Sequence, residues 1–329
     1  MSNLSDLLPA GASAKQLTFT DSGSGISSKA PVVVNSDGTI SSISVSSAIN
    51  GAQATFESGA VTSNTSAVYD SNSQKIVVVY RDNDTTYGTA CVGTLTGGST
   101  NTIAWATPVV FESADCSQFS LIYQSTDNQL VVIFSNQYSR LYAISGEVSG
   151  TSTNWSSGGS VQVLGSHGGL NNGAAFDPGS GKIICAWDRN DNSSGARTVP
   201  SLTITVSGTG TGSSLTMGPG HDIDTGGICR DIHIVVDTSV NSPVVFFTKQ
   251  YDSYKGYAKV LTVSGSNLSS GSEVEVASGK QPLNTGGVYD PVADKIIVAF
   301  SDNANSSQGD SVLGTVSGTS ITFTTPVGS

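Results

Sequence analysis

The stretch Lys75–Asp82, KIVVVYRD, decides the fold because it recurs four times. QLVVIFSN starts at Gln129, KIICAWDR at Lys182, PVVFFTK at Pro243 and KIIVAFSD at Lys295, so the starts lie 54, 53, 61 and 52 residues apart. Each run is short, apolar, rich in β-branched and aromatic residues and closed by polar turn residues, which reads as a buried strand. A shorter strand and a turn precede each run: SAVYDSNSQ (66–74), SLIYQSTDN (120–128), AAFDPGSG (174–181), HIVVDTSVN (233–241) and GVYDPVAD (287–294). Tyr69, Tyr123, Phe176, Val236 and Tyr289 thereby take equivalent places.

A third strand follows each polar loop, as in GTACVGTLTG (88–97), RLYAISGEVSG (140–150), YAKVLTVSG (257–265) and SVLGTVSG (311–318). TIAWATPVVFES (102–113) and ITFTTPV (321–327) supply a fourth. A unit of four antiparallel strands cannot bury both faces alone, whereas neighbours stacked face to face share a core. The expected fold is all-β, a β-propeller of six four-stranded blades. The units fall near 16–62, 63–115, 116–168, 169–227, 228–282 and 283–329. The first is degenerate; its Phe56-Glu57-Ser58 matches Phe111-Glu112-Ser113. The last ends at TTPVGS, short of that aromatic, so QLTFTDS (16–22) is expected to complete it and close the ring. Residues 1–15, with a capped SNLSDLL ended by Pro9 and Gly11, read as an extension or anchor.

Composition narrows function. Charged residues are 12% of the 329, about half the usual ~25%. The net charge of −11 repels a phosphate backbone, and no basic cluster offsets it, so no nucleic-acid partner is expected. No apolar run approaches the ~20 residues of a membrane span, and the N-terminus lacks a signal-peptide pattern. Cys91, Cys116, Cys185 and Cys229 have no paired ligand spacing and read as structural thiols.

Antiparallel order puts the turns between first and second strands (A–B) and between third and fourth (C–D) on one face. The B–C loops and D–A connections share the other. That second face gathers Asp82, Asp84, Tyr87, Tyr138, His167, Asp188, Asp191, His221, Asp222, Asp224, Arg230, Tyr251, Tyr254 and Asp302 as binding candidates. Turn chemistry is the plain reading of the Asp residues. DND (82–84) and DRNDN (188–192) also offer alternating oxygens to calcium, without an EF-hand loop, and His221, Asp222 and Asp224 offer a transition-metal set that needs His167 to converge. No cofactor is expected and the metal question stays open. His233, between two isoleucines, reads as a satisfied core histidine. The tyrosines suit sugar rings. Catalytic patterns are poor: no helix follows any Gly-x-Ser-x-Gly, the S-x-D-x-G-x-x-W box of sialidase-like propellers is missing, and the arginines number five (Arg81, Arg140, Arg189, Arg197, Arg230).

SNLSDLLPAGASAKQLTFT, KAPVVVNSDGTI and the repeats VYD…KIVVVYRD…YGTACVGTLTG…TPVVFES resemble tail-fibre and related virion proteins of marine tailed bacteriophages, including the short-tailed phages of cyanobacteria. The resemblance spans nearly the whole chain. It implies a tail-associated attachment protein, present in several copies, that meets other tail proteins and a host-surface glycan or protein, is not an enzyme and carries no catalytic residues. The alternatives are a purely structural tail or capsid part and a hydrolase of surface polysaccharide. The fourth unit departs from the repeat through ARTVPSLTITVSG and the GPGHDID insert, which marks it for a specialised contact.

Overall fold

The computed structural model describes residues 32–34, 39–42, 53–61, 65–96, 102–163, 171–190 and 197–328. The chain divides into two compact units, 1–51 with 99–101 and 52–98 with 102–329. In the first, β1 (Val32–Val34) and β2 (Ile40–Ser42) form an antiparallel hairpin. The expected anchor (1–15) and closing strand (16–22) lie outside the described residues.

The second unit holds five four-stranded blades. Blade I comprises β3 (Ser66–Asp70), β4 (Lys75–Arg81), β5 (Tyr87–Thr96), β6 (Thr102–Trp105) and the start of β7 (Val109–Gln124). The rest of β7 is the inner strand of blade II, with β8 (Gln129–Asn136), β9 (Leu141–Ser149), β10 (Ser152–Trp155) and β11 (Val161–Gln162). β7 therefore runs straight through the unit boundary expected at 115. Blade III has β12 (Asn172–Asp177), β13 (Lys182–Trp187), β14 (Arg189–Asn190), β15 (Arg197–Ser207), β16 (Ser214–Met217) and β17 (His221–Asp224). Blade IV has β18 (Cys229–Asp237), β19 (Ser242–Lys249), β20 (Lys255–Ser264), β21 (Asn267–Ser270) and β22 (Val274–Glu275). Blade V has β23 (Pro282–Asp290), β24 (Lys295–Asp302), β25 (Gln308–Ser317), β26 (Ser320–Phe323) and β27 (Val327–Gly328).

The fourth strand is two pieces in every blade, both paired with the third, as β6 and β7 are with β5. The residues expected to be equivalent are so in register: Tyr69, Tyr123, Phe176, Val236 and Tyr289 face Ile76, Leu130, Ile183, Pro243 and Ile296. Four of the A–B turns share one chemistry. Asp70, Asp177, Asp237 and Asp290 each accept the backbone amide two residues on, at 2.9 to 3.1 Å. The last turn residue is left-handed each time: Gln74, Asn128, Gly181, Asn241 and Asp294 have φ between 49° and 68°. Asx turns and a left-handed exit are what Asp, Asn and Gly tolerate best.

The core lies between blades. Each second strand carries an aromatic within its last three residues, Tyr80, Phe134, Trp187, Phe247 or Phe300. Each packs in one cluster with a residue from the preceding connection, Phe56, Phe111, Val163, Ile223 or Val276 respectively. Phe56 meets Tyr80 at 5.2 Å and Trp105 at 5.6 Å, and Phe111 meets Phe134 at 5.6 Å and Trp155 at 5.3 Å. The match of Phe56-Glu57-Ser58 to Phe111-Glu112-Ser113 is thus a match of packing. All four cysteines are buried free thiols.

The inner strands β3, β7, β12, β18 and β23 lie side by side in chain order. Ser120 donates to the Asn172 side chain at 2.6 Å, and His233 Nε2 donates to the Gly287 carbonyl at 3.0 Å, so that histidine is satisfied in the core and burial lowers its pKa. A Cβ on Gly173 would stand 2.6 Å from the Ile232 carbonyl oxygen and 2.9 Å from the His233 Cα. Because the obstacle is backbone, Gly173→Ala is expected to cost about 1–3 kcal/mol, read by urea denaturation.

Candidate functional site

Three inner strands carry a bulge near their entrance on the B–C/D–A side. Register shifts between Ser117 and Ser120, Arg230 and His233, and Leu283 and Gly286. Gln118, Asp231 and Asn284 sit there with φ of 56°, 51° and 51°. A non-glycine residue in this region costs on the order of 1–3 kcal/mol, and such bulges gather where a side chain is re-aimed at a functional site. The second and third of these bulges border a cleft of about 390 Å³ between blades III, IV and V, lined by Asn171, Asp188, Ile228, Arg230, Asp231, Leu283 and Asn284. That size falls within the ~300–1,000 Å³ of small-molecule sites.

The cleft is polar at its rim. Arg230 is exposed, Asp188 is 3% exposed and its amide bonds the Asn171 carbonyl at 2.9 Å. Burial pushes the Asp231 carboxyl up, partly countered by the Asn284 amide and the Arg230 charge. Guanidinium, carboxyl and carboxamide together offer donors and acceptors in the mixture that hydroxyl-rich ligands need.

Immediately outward lies an ionic network. Lys249 Nζ stands 3.1 Å from Asp224 Oδ1 and 2.6 Å from Glu273 Oε1, and 4.6 Å from the Tyr257 ring centre. The Tyr251 hydroxyl donates to Asp224 at 2.9 Å and lies against Gly226, and its ring lies against Gly227, where a Cβ would come within 2.7 Å of it. Burial raises the Asp224 carboxyl, but hydrogen bonds from Lys249 and Tyr251 and the Lys249 charge outweigh it and hold the group below its usual range. For Lys249, burial lowers the ammonium, and hydrogen bonds to Glu273, Tyr251 and Asp224 more than reverse that. Burial and the Asp224 contact push Tyr251 up to about 12.

The candidates read from sequence separate accordingly. The structure brings Asp188 and Arg230 into the cleft and Asp224 and Tyr251 into the network beside it. Asp82 is a turn residue: its carboxylate accepts the Asp84 amide at 2.9 Å and the Thr85 hydroxyl at 2.8 Å, which lowers its pKa. Asp84 is exposed in that turn, where the Tyr87 amide bonds Thr85 at 3.3 Å. Asp302 is 1% exposed, bound to the Gln281 and Ala304 amides and to Lys280 at 3.1 Å, which anchors the loop that follows it. His221 bonds Ser270 at 3.0 Å, Asp222 is exposed, and Asp224 belongs to Lys249, so the three do not converge. No group of three metal-ligating side chains occurs among the described residues. Tyr138 is 69% exposed on its loop, and Tyr254 is half-buried in a left-handed turn (φ 59°). His167 and Asp191 lie outside the described residues.

Sequence reading missed Lys249, Glu273, Asp231 and Asn284. One signal was present. Asp82 follows the second strand of blade I, Asn136 and Asp302 end those of blades II and V, and all three close the B–C loop with their side-chain oxygens. Lys249 stands at that place in blade IV and breaks the rule.

No family model matches the chain, and no curated protein matches it. Among solved structures it is similar to AofleA from Arthrobotrys oligospora (TM-score 0.50, 12% identity, 80% of this chain and 70% of that one). Others are the sucrose-6-phosphate hydrolase of Lactobacillus gasseri (0.42, 7%, 81% and 61%) and the Aleuria aurantia lectin, itself a six-bladed β-propeller (0.30, 12%, 80% and 94%). The chain spans 61% of that hydrolase's length. At 12% identity the likeness to AofleA concerns the fold. No helix among the described residues is long and apolar enough to cross a membrane.

Proposed function

We propose that this protein is a host-attachment component of a phage tail, and that the cleft between blades III, IV and V holds a glycan of the host surface. The observation that carries this reading is the cleft itself, where two strained bulges, at Asp231 and Asn284, and the exposed Arg230 frame a polar hollow. The repeats' resemblance to marine phage virion proteins supplies the setting, with other tail proteins as neighbours. The protein acts by binding. Asp224 and Asp302 are held ionised by Lys249 and Lys280, which unfits them as general acids. Asp231, raised by burial, is the one cleft carboxyl that favours a second reading, hydrolysis of surface polysaccharide.

The test is binding of the purified protein to intact cells of candidate marine hosts beside cells stripped of surface glycans. Saturable binding lost on stripping is expected. No binding to any host of the parent phage would leave a structural virion role. Release of reducing ends that disappears in Asp231→Asn would favour the hydrolase.

A further inference from the structure

The junctions between blades repeat, and one of them supplies a template for another. In blade IV the pair Phe247–Tyr257 (ring centres 6.3 Å apart) faces Asp224 of the preceding connection, and the ammonium of Lys249 fills the space between them. In blade II the pair Phe134–Tyr142 (6.1 Å) occupies the same register and faces Glu112. Glu112 pairs with Gly88 as Asp224 pairs with Val199, one residue beyond the buried Phe111 and Ile223 respectively. Ser160 stands where Glu273 stands, each just before the outer-strand residue, Val161 or Val274, that pairs with Ala143 or Ala258.

The difference is the cation. Asn136 replaces Lys249, and its Oδ1 is taken by the amides of Tyr138 and Arg140 at 3.0 and 2.9 Å. What remains is a hollow of about 200 Å³ lined by Glu112, Ala114, Phe134, Asn136, Tyr142 and Ser160. Ser160 donates to Glu112 Oε2 at 2.7 Å, while Oε1 has no hydrogen-bond partner among the described residues.

We infer that this hollow binds the primary ammonium group of an external ligand, in the place that Lys249 fills from within in blade IV. A carboxylate oxygen supplies the charge-assisted hydrogen bond, and the tyrosine ring supplies a face for the cation. The shared chemistry is a primary amine, carried by an amino sugar or by a lysine side chain. The site is separate from the cleft of blades III to V and stands whether or not that cleft binds glycans.

The experiment is titration of the whole protein, followed by the backbone amide resonances of Glu112, Asn136 and Ser160. The probes are D-glucosamine and Nα-acetyl-lysine methylamide, each beside its N-acetylated form. The expected result is saturable shifts with at least one amine and none with its acetylated form; the arm that binds more tightly identifies the source. Glu112→Gln, which keeps the Ser160 contact, is expected to weaken binding about tenfold or more. Asn136→Lys, which supplies an internal ammonium, is expected to abolish it at an unchanged chain fold. Equal shifts with acetylated probes, absence of shifts with both amines, or undiminished binding by a folded Glu112→Gln would each overturn the inference.

Discussion

Lys249→Met is expected to destabilise the protein by about 3–5 kcal/mol at neutral pH, the cost of leaving a buried partner charge uncompensated. Asp224 and Lys249 are each 8% exposed, and Glu273 shares the same ammonium. The loss has a pH signature. The Asp224 carboxyl is held below its ordinary value, so its contribution is complete above about pH 4 and disappears as pH falls through the folded value. The Lys249 ammonium is held above its ordinary value, so its contribution is complete below about pH 10 and disappears as pH rises through the folded value. The gap between wild type and variant should be widest between about pH 5 and 10 and narrow on either side. Urea denaturation across that range measures it. A gap of under about 1 kcal/mol at pH 7, the size of an exposed ion pair, would mean the network is a solvated surface feature.

Trp187→Ala should cost a similar amount, about 3–5 kcal/mol, through the cavity it leaves. Trp187 is 1% exposed and belongs to a cluster that takes Ile122, Val131 and Ile133 from blade II and Ile183, Cys185 and Leu202 from blade III. The damage therefore falls on two blades at once. Loss should appear as a lower midpoint of one shared transition, monitored by circular dichroism and tyrosine fluorescence. Two separated transitions would show that the blades do not depend on the cores between them.

The repeat was legible because it is written in apolar periodicity. KIVVVYRD and its four copies became β4, β8, β13, β19 and β24, and the aromatic that ends each run marks the junction with the blade before it. The site was less legible for a definite reason. An aspartate at a strand end looks the same in sequence whether it caps its own loop, as Asp82 does, or meets a buried lysine, as Asp224 does. Only the fold sets Lys249 and Glu273 against Asp224 across 25 and 49 residues. Bulges are invisible too: Asp231 and Asn284 precede the stretches 233–241 and 287–294 that read as inner strands, and their left-handed φ accompanies register slips against β19 and β24. Arg230 and Asp188 were found because loop ends carry polar side chains, and the blades happen to bring those two ends together.

The most direct test of the attachment reading is saturation binding of wild-type protein and Arg230→Ala to the same intact host cells, with thermal midpoints recorded for both. Arg230 is exposed, so the variant should fold unchanged. Binding weaker by about tenfold or more at an equal midpoint is the expected result. Arg230→Ala binding as tightly as wild type would contradict the claim that the cleft between blades III, IV and V is the contact with the host.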